Sequence, residues 1–146
     1  MANDKTNLDF SNVQKITEIA KGQLNEEFYK FPGTFAFWAA AEAEAKSAAL
    51  NAKAQMEQTY AVLATQQRSS ADFYKKKVTE AQIEEMVESS AEYTKVRDAY
   101  NKATGDALRV SAVVASLEKK GDMLKQLGYT YSAELARLSD SSDKKK

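Results

Sequence analysis

At 146 residues, with hydrophobic residues at 43% and charged residues at 29%, the chain has the size of one domain and enough apolar content to build a core. Lys plus Arg and Asp plus Glu stand at 21 each, so no net field draws the molecule to nucleic acid or an anionic membrane, and such binding has to come from a local patch. Cysteine and histidine are both absent, which excludes disulfides, Cys/His zinc sites, thiol nucleophiles and imidazole proton shuttles; the expectation is a non-enzymatic protein with no catalytic residue, no metal and no cofactor.

The first residues, Met1 to Asn7, are polar, and no later run approaches the ~18 apolar residues of a membrane span, so a cytoplasmic location without membrane contact is expected. Ser11 can cap a helix running to about Tyr29, with Val13 and Ile16 on its apolar stripe and Gly22 weakening it. Pro32 and Gly33 read as the clearest break in the chain. Thr34 to about Arg68 then reads as one helix, dense in alanine from Ala36 to Ala54. Its buried face carries Trp38, Ala45, Ala49, Ala52, Met56, Tyr60 and Leu63; the small side chains let a second helix approach closely, within the chain or across a subunit interface.

Ser69 to Val78 interrupts the periodicity, and Thr79 to Gln82 reads as a capping box that opens a short helix anchored by Ile83, Met86 and Val87. Ser89 to Glu92 reads as a second box. From there a seven-residue apolar repeat follows through Tyr93, Val96, Tyr100, Ala103, Ala107, Val110, Val114, Leu117, Gly121 and Leu124, the period of left-handed packing on other helices. Continuity through Gly105 and Gly121 stays open at this point. Gly128 is placed as a helix-ending residue, and Thr130 or Ser132 as the start of a last short helix with Leu135 and Leu138. The expected fold is all-α: an elongated helical domain over residues 1–138, two long amphipathic helices plus short ones, assembling as a homo-oligomer, with a disordered tail at 139–146. The oligomer interface is assigned to Trp38, Ala45, Ala49, Ala52, Met56, Tyr93, Val96, Tyr100, Val110, Val114 and Leu117.

The cluster Glu80, Glu84, Glu85 and Glu88, of which Glu80, Glu84 and Glu88 share a helix face, could bind a cation, but a solvated acidic face near a helix N-terminus explains it better. The segment from Arg68 through Phe73, Tyr74, Lys75, Lys76 and Lys77 differs, because it sets two aromatics beside three lysines. Every base offers a π-face to Phe or Tyr, and every nucleotide a charge to Lys or Arg, so this combination suits single-stranded nucleic acid. The competing reading docks Phe73 and Tyr74 into the core and leaves the lysines as a solvated loop. Lys95, Lys102 and Arg109 recur every seven residues and make a basic stripe along the last helix, unless they pair with Glu92, Asp98 and Asp106.

The run Lys77-Val78-Thr79-Glu80, then Val87 to Tyr93, Ala107-Leu108 and Lys120 to Leu124 resembles the recombination mediator proteins of tailed phages, the UvsY type, over roughly residues 35 to 138. The resemblance implies a ring-like homo-oligomer that binds single-stranded DNA and helps a RecA-like recombinase displace the single-strand binding protein, in the host cytoplasm. On this reading the aromatic and basic segment described above, Arg68, Phe73, Tyr74, Lys75, Lys76 and Lys77, contacts DNA, with Lys95, Lys102 and Arg109 extending the surface. That family's Lys-x-Arg element before the loop has no counterpart in 61–67. The alternative is a non-catalytic structural or assembly protein that binds partner helices and no nucleic acid.

Overall fold

Alanine-rich sequence with almost no proline favours helix nearly everywhere, and helix is what the chain forms. The computed structural model describes residues 9–20 and 22–143, with side chains as far as Leu138. Among these residues are a 3₁₀ turn, Phe10–Asn12, and four α-helices: α1 Val13–Thr17, α2 Leu24–Phe73, α3 Glu80–Glu88 and α4 Ala91–Asp143. The described residues contain no strand, so the fold is all-α as expected, and none of their helices is long and apolar enough to cross a membrane. Two compact units divide the chain, one formed by residues up to Ala40 with those from Ser111, the other by Ala41–Val110.

The helix boundaries correct the sequence reading in a consistent way. The expected helix from Ser11 to Tyr29 is broken where Glu18 turns extended and Gly22 takes φ +84°, a left-handed conformation that glycine adopts without strain. The expected break at Pro32 and Gly33 is absent, and α2 runs through both. A proline inside a helix loses one backbone hydrogen bond and crowds the preceding turn, a cost of about 3 kcal/mol. Tertiary packing of the turn just before Pro32 offsets that cost. The ring of Phe31 lies over Gly121 so closely that a Cβ there would stand 2.9 Å from Cζ, and Phe28 lies over Gly128 with the same gap at 3.0 Å.

Gly128 therefore ends no helix. It admits an aromatic ring, and α4 continues through Gly105, Gly121 and Gly128 to Asp143. The separate short helix expected after Thr130 is part of α4. The backbone is helical five residues into the stretch expected as a tail, 139–146, whose last three residues, 144–146, lie outside the described residues. The cap of α4 also falls one residue later than expected: Ser90 Oγ accepts from Tyr93 N at 3.2 Å, while Ser89 Oγ donates to Met86 O. The box at Thr79 forms as read, with Gln82 N donating to Thr79 Oγ1 at 3.3 Å and Thr79 N to Gln82 Oε1 at 3.0 Å.

The apolar repeat of α4 is the buried side of that helix. Ala107, Val110, Val114, Leu117, Gly121 and Leu124 are buried, and Tyr93, Val96, Tyr100 and Ala103 are half-buried. On α2 the expected face behaves alike, with Trp38 buried and Ala45, Ala49, Ala52, Met56, Tyr60 and Leu63 half-buried. This corrects part of the interface assignment. Trp38, Val110, Val114 and Leu117 are covered by their own chain and have no surface left for a second subunit.

In the first unit, Lys120 lies three residues after Leu117 and four before Leu124, which places it on the buried side, 5% exposed. Its Nζ meets Glu27 Oε2 at 2.6 Å and donates to Ile16 O at 2.8 Å, so one ammonium ties α1, α2 and α4 together. Burial alone would raise the Glu27 carboxyl, but the hydrogen bond and charge of Lys120, with the Ala20 N–H, outweigh it and leave its pKa lowered. Phe10 caps this unit by packing on Trp38, ring centroids 5.6 Å apart. In the second unit, Ala64, Ile83 and Val87 form a small core beneath Tyr60, Leu63, Val78 and Tyr93, and the rings of Tyr60 and Tyr93 meet edge-on at 5.8 Å.

Two sets of variants test this packing. A Cβ at Gly105 would meet nothing within 4 Å, so Gly105→Ala is expected to stabilise by about 1 kcal/mol through helix propensity, whereas Gly121→Leu must displace Phe31 and is expected to lose about 1–3 kcal/mol in urea unfolding. Lys120→Met leaves the half-buried Glu27 carboxylate without its cation and is expected to cost about 1–3 kcal/mol, most of it regained in the double variant Lys120→Met with Glu27→Leu. Because the folded Glu27 pKa is depressed, its contribution is fully present above the ordinary glutamate value and is lost as pH falls through the lower folded value; the fluorescence of Trp38, the sole tryptophan, reads the transition.

Candidate nucleic-acid interface

The turn between α2 and α3 is built by the end of α2. Lys75 N donates to Asp72 O and Lys76 N to Ala71 O, the paired bonds of a Schellman ending, with Lys75 in the left-handed region at φ 50°. Glycine is the usual residue there, and a lysine costs roughly 1 kcal/mol in backbone strain. Residues 76–79 then run without helix into the Thr79 cap. The stretch expected to be irregular from Ser69 is thus helical to Phe73 and irregular only beyond it.

This ending fixes what the turn presents. Phe73 is 79% exposed and Tyr74 68% exposed, their rings edge-on with centroids 5.1 Å apart. Lys75, Lys76 and Lys77 are exposed beside them. The reading in which the two aromatics dock into the core does not describe this structure. Next to the turn lies an open groove of about 490 Å³ lined by Lys76, Lys77, Val78, Gln82, Glu85 and Met86. Gln82 and Met86 were not singled out as binding residues in the sequence, and Glu85 only as part of the acidic cluster weighed for a cation. The spacing of a capping-box glutamine with residues three and four positions on, all on one side of a short helix, is the signal that could have found them.

Arg68 is placed differently from the lysines. Its Nε and Nη2 donate to the two carboxylate oxygens of Glu80 at 3.1 and 2.7 Å, so the guanidinium is held against α3. The hydrogen bonding lowers the Glu80 pKa and raises that of Arg68. Lys95, Lys102 and Arg109 are exposed on α4, with Arg109 Nη1 3.9 Å from Asp106 Oδ1, while Asp98 lies 4.0 Å from Arg97. The stripe is not continuous with the turn. Tyr93 sits against Tyr60, and α2 runs a further ~20 Å from Tyr60 to Phe73. Among the described residues no group of three or more acidic side chains is placed to hold a metal ion, Glu80, Glu84 and Glu88 included.

The described fold and turn define a helical protein that exposes aromatic rings and ammonium groups together at one helix end. No family model matches the chain, and no curated protein or solved structure is significantly similar to it.

The strained lysine gives a direct check. Lys75→Gly is expected to raise stability by about 1 kcal/mol in urea unfolding, and Lys75→Ala to leave it nearly unchanged, because only glycine relieves the left-handed conformation.

Proposed function

We propose that the protein is a single-stranded DNA-binding recombination mediator that acts as a homo-oligomer. The observation that carries this reading is the exposure of Phe73 and Tyr74 beside three exposed lysines at the end of α2. Two large aromatics held in water cost hydrophobic free energy that a core position would have recovered, roughly 2 kcal/mol each. Stacking of unpaired bases on them recovers that loss, and the lysines meet the phosphates. Lys75, Lys76 and Lys77 supply the charge, Lys95 and Lys102 a second and weaker stripe, and Arg68 strengthens the site when Glu80 releases it.

A balanced net charge suits a molecule that binds through many copies of one small patch. The repeat of α4 supports assembly. Continued in register beyond Gly128 it passes through Tyr131, Leu135 and Leu138, which are exposed, whereas its positions from Ala107 to Leu124 are buried or half-buried. An apolar stripe of this kind favours a partner helix from another subunit. A ring of such subunits would wrap a single strand, weaken its hold on a single-strand binding protein and favour a RecA-like recombinase, as the resemblance to phage mediators implies. The second reading, a helix-binding assembly protein, is favoured by a groove of about 560 Å³ in the first unit, where Phe28, Phe31 and Phe35 face Glu118, Gly121 and Leu124.

Fluorescence anisotropy of a labelled single strand of about 30 nucleotides, titrated at several salt concentrations beside the matching duplex, decides between them. The mediator reading expects salt-sensitive binding that prefers the single strand, lost in Lys75→Glu with Lys76→Glu at unchanged oligomer size. Glu80→Gln, which frees Arg68, is expected to tighten binding and steepen the salt dependence by about one counterion. Absence of binding at low salt would put the helix-binding reading first.

A further inference from the structure

The groove beside the basic turn holds a feature that phosphate binding does not explain. Lys76 and Lys77 suit a phosphate backbone, yet Glu85 lines the same groove and would repel it. The capping box adds a second constraint: Gln82 Oε1 is committed to the Thr79 N–H at 3.0 Å, so the group that Gln82 offers the groove is its NH₂. Val78 and Met86, the latter 48% exposed, form an apolar wall. A donor, a carboxylate acceptor and an apolar wall, in a space of about 490 Å³, fit a planar heterocycle better than a phosphate.

Resting on the single-stranded DNA reading above, we propose that this groove receives one base of the bound strand and that it selects guanine. A carboxylate recognises two parallel N–H groups best, and guanine is the one base with N–H donors on adjacent atoms of its pairing edge, N1 and N2. Its O6 then accepts from the Gln82 amide or from a lysine, and its face lies on Met86. Adenine and cytosine carry a single exocyclic amino group beside an acceptor nitrogen, and thymine a single ring N–H between two carbonyls. Each leaves one Glu85 oxygen without a donor. Phe73 and Tyr74 stack neighbouring bases without regard to sequence, so the groove supplies preference where the platform supplies affinity.

The test compares thymidine strands of about 30 nucleotides that are uniform or carry one internal guanine, inosine or adenine, by anisotropy at fixed salt. The guanine strand is expected to bind about five- to tenfold tighter than the uniform strand, and inosine, which lacks the N2 amino group, to return most of that gain. Glu85→Gln is expected to abolish the preference and, by removing a charge that repels phosphate, to tighten binding of uniform thymidine slightly. Equal affinity for all four strands in a protein that binds them, or a guanine preference that survives in Glu85→Gln, overturns the guanine groove and leaves the platform standing. Absence of binding to every strand overturns both.

Discussion

The seven-residue apolar repeat of α4 is the constraint on which the rest depends. A helix of this period must keep one side out of water, and Val110, Val114, Leu117 and Leu124 are buried because the chain supplies neighbours along that side. The repeat reaches a point where it offers only glycine. At Gly121 and Gly128 the missing side chains become receptacles for Phe31 and Phe28, and the aromatic turns they hold keep α2 helical across Pro32. Local rules would have ended both helices at these positions. Packing of these two partly buried rings, of the order of 1–2 kcal/mol each, together matches a proline cost of about 3 kcal/mol.

Lys120 follows from the same repeat. A cation on the buried side of a helix has to be neutralised, and here Glu27 and the Ile16 carbonyl converge on it. The arrangement links the short α1 to the longer helices through polar bonds rather than through a large apolar surface, which suits a segment with few apolar residues. It also anchors the end of α1, since the Ile16 carbonyl takes one of the three N–H donors of Lys120.

The candidate site obeys a different logic from the two cores. Where the cores bury aromatics, the end of α2 exposes them, and where glycine would relieve a left-handed turn the chain keeps a lysine. Exposed Phe73 and Tyr74 and a strained Lys75 are each unfavourable for the folded state alone. Their coincidence within three residues is the reason to place the main binding role at this turn, with the Lys95, Lys102 and Arg109 stripe, where no such coincidence occurs, as the weaker surface. Arg68 belongs to the architecture of the turn as the structure stands, because Glu80 holds it.

By itself the sequence determined the all-α class, the buried sides of both long helices, the Thr79 capping box and the aromatic and basic composition of the turn, since each follows from periodicity or from side-chain chemistry a few residues apart. Tertiary structure decided what depends on neighbours distant in the chain: that Pro32 is tolerated, that Gly128 admits a ring, that Trp38 and Leu117 are satisfied within one chain, and that Arg68 is engaged while Phe73 and Tyr74 are not. The physical reason is common to all of these. A local preference of about 1–3 kcal/mol is legible in sequence, but its outcome is set by whether packing or pairing of equal size arrives from elsewhere.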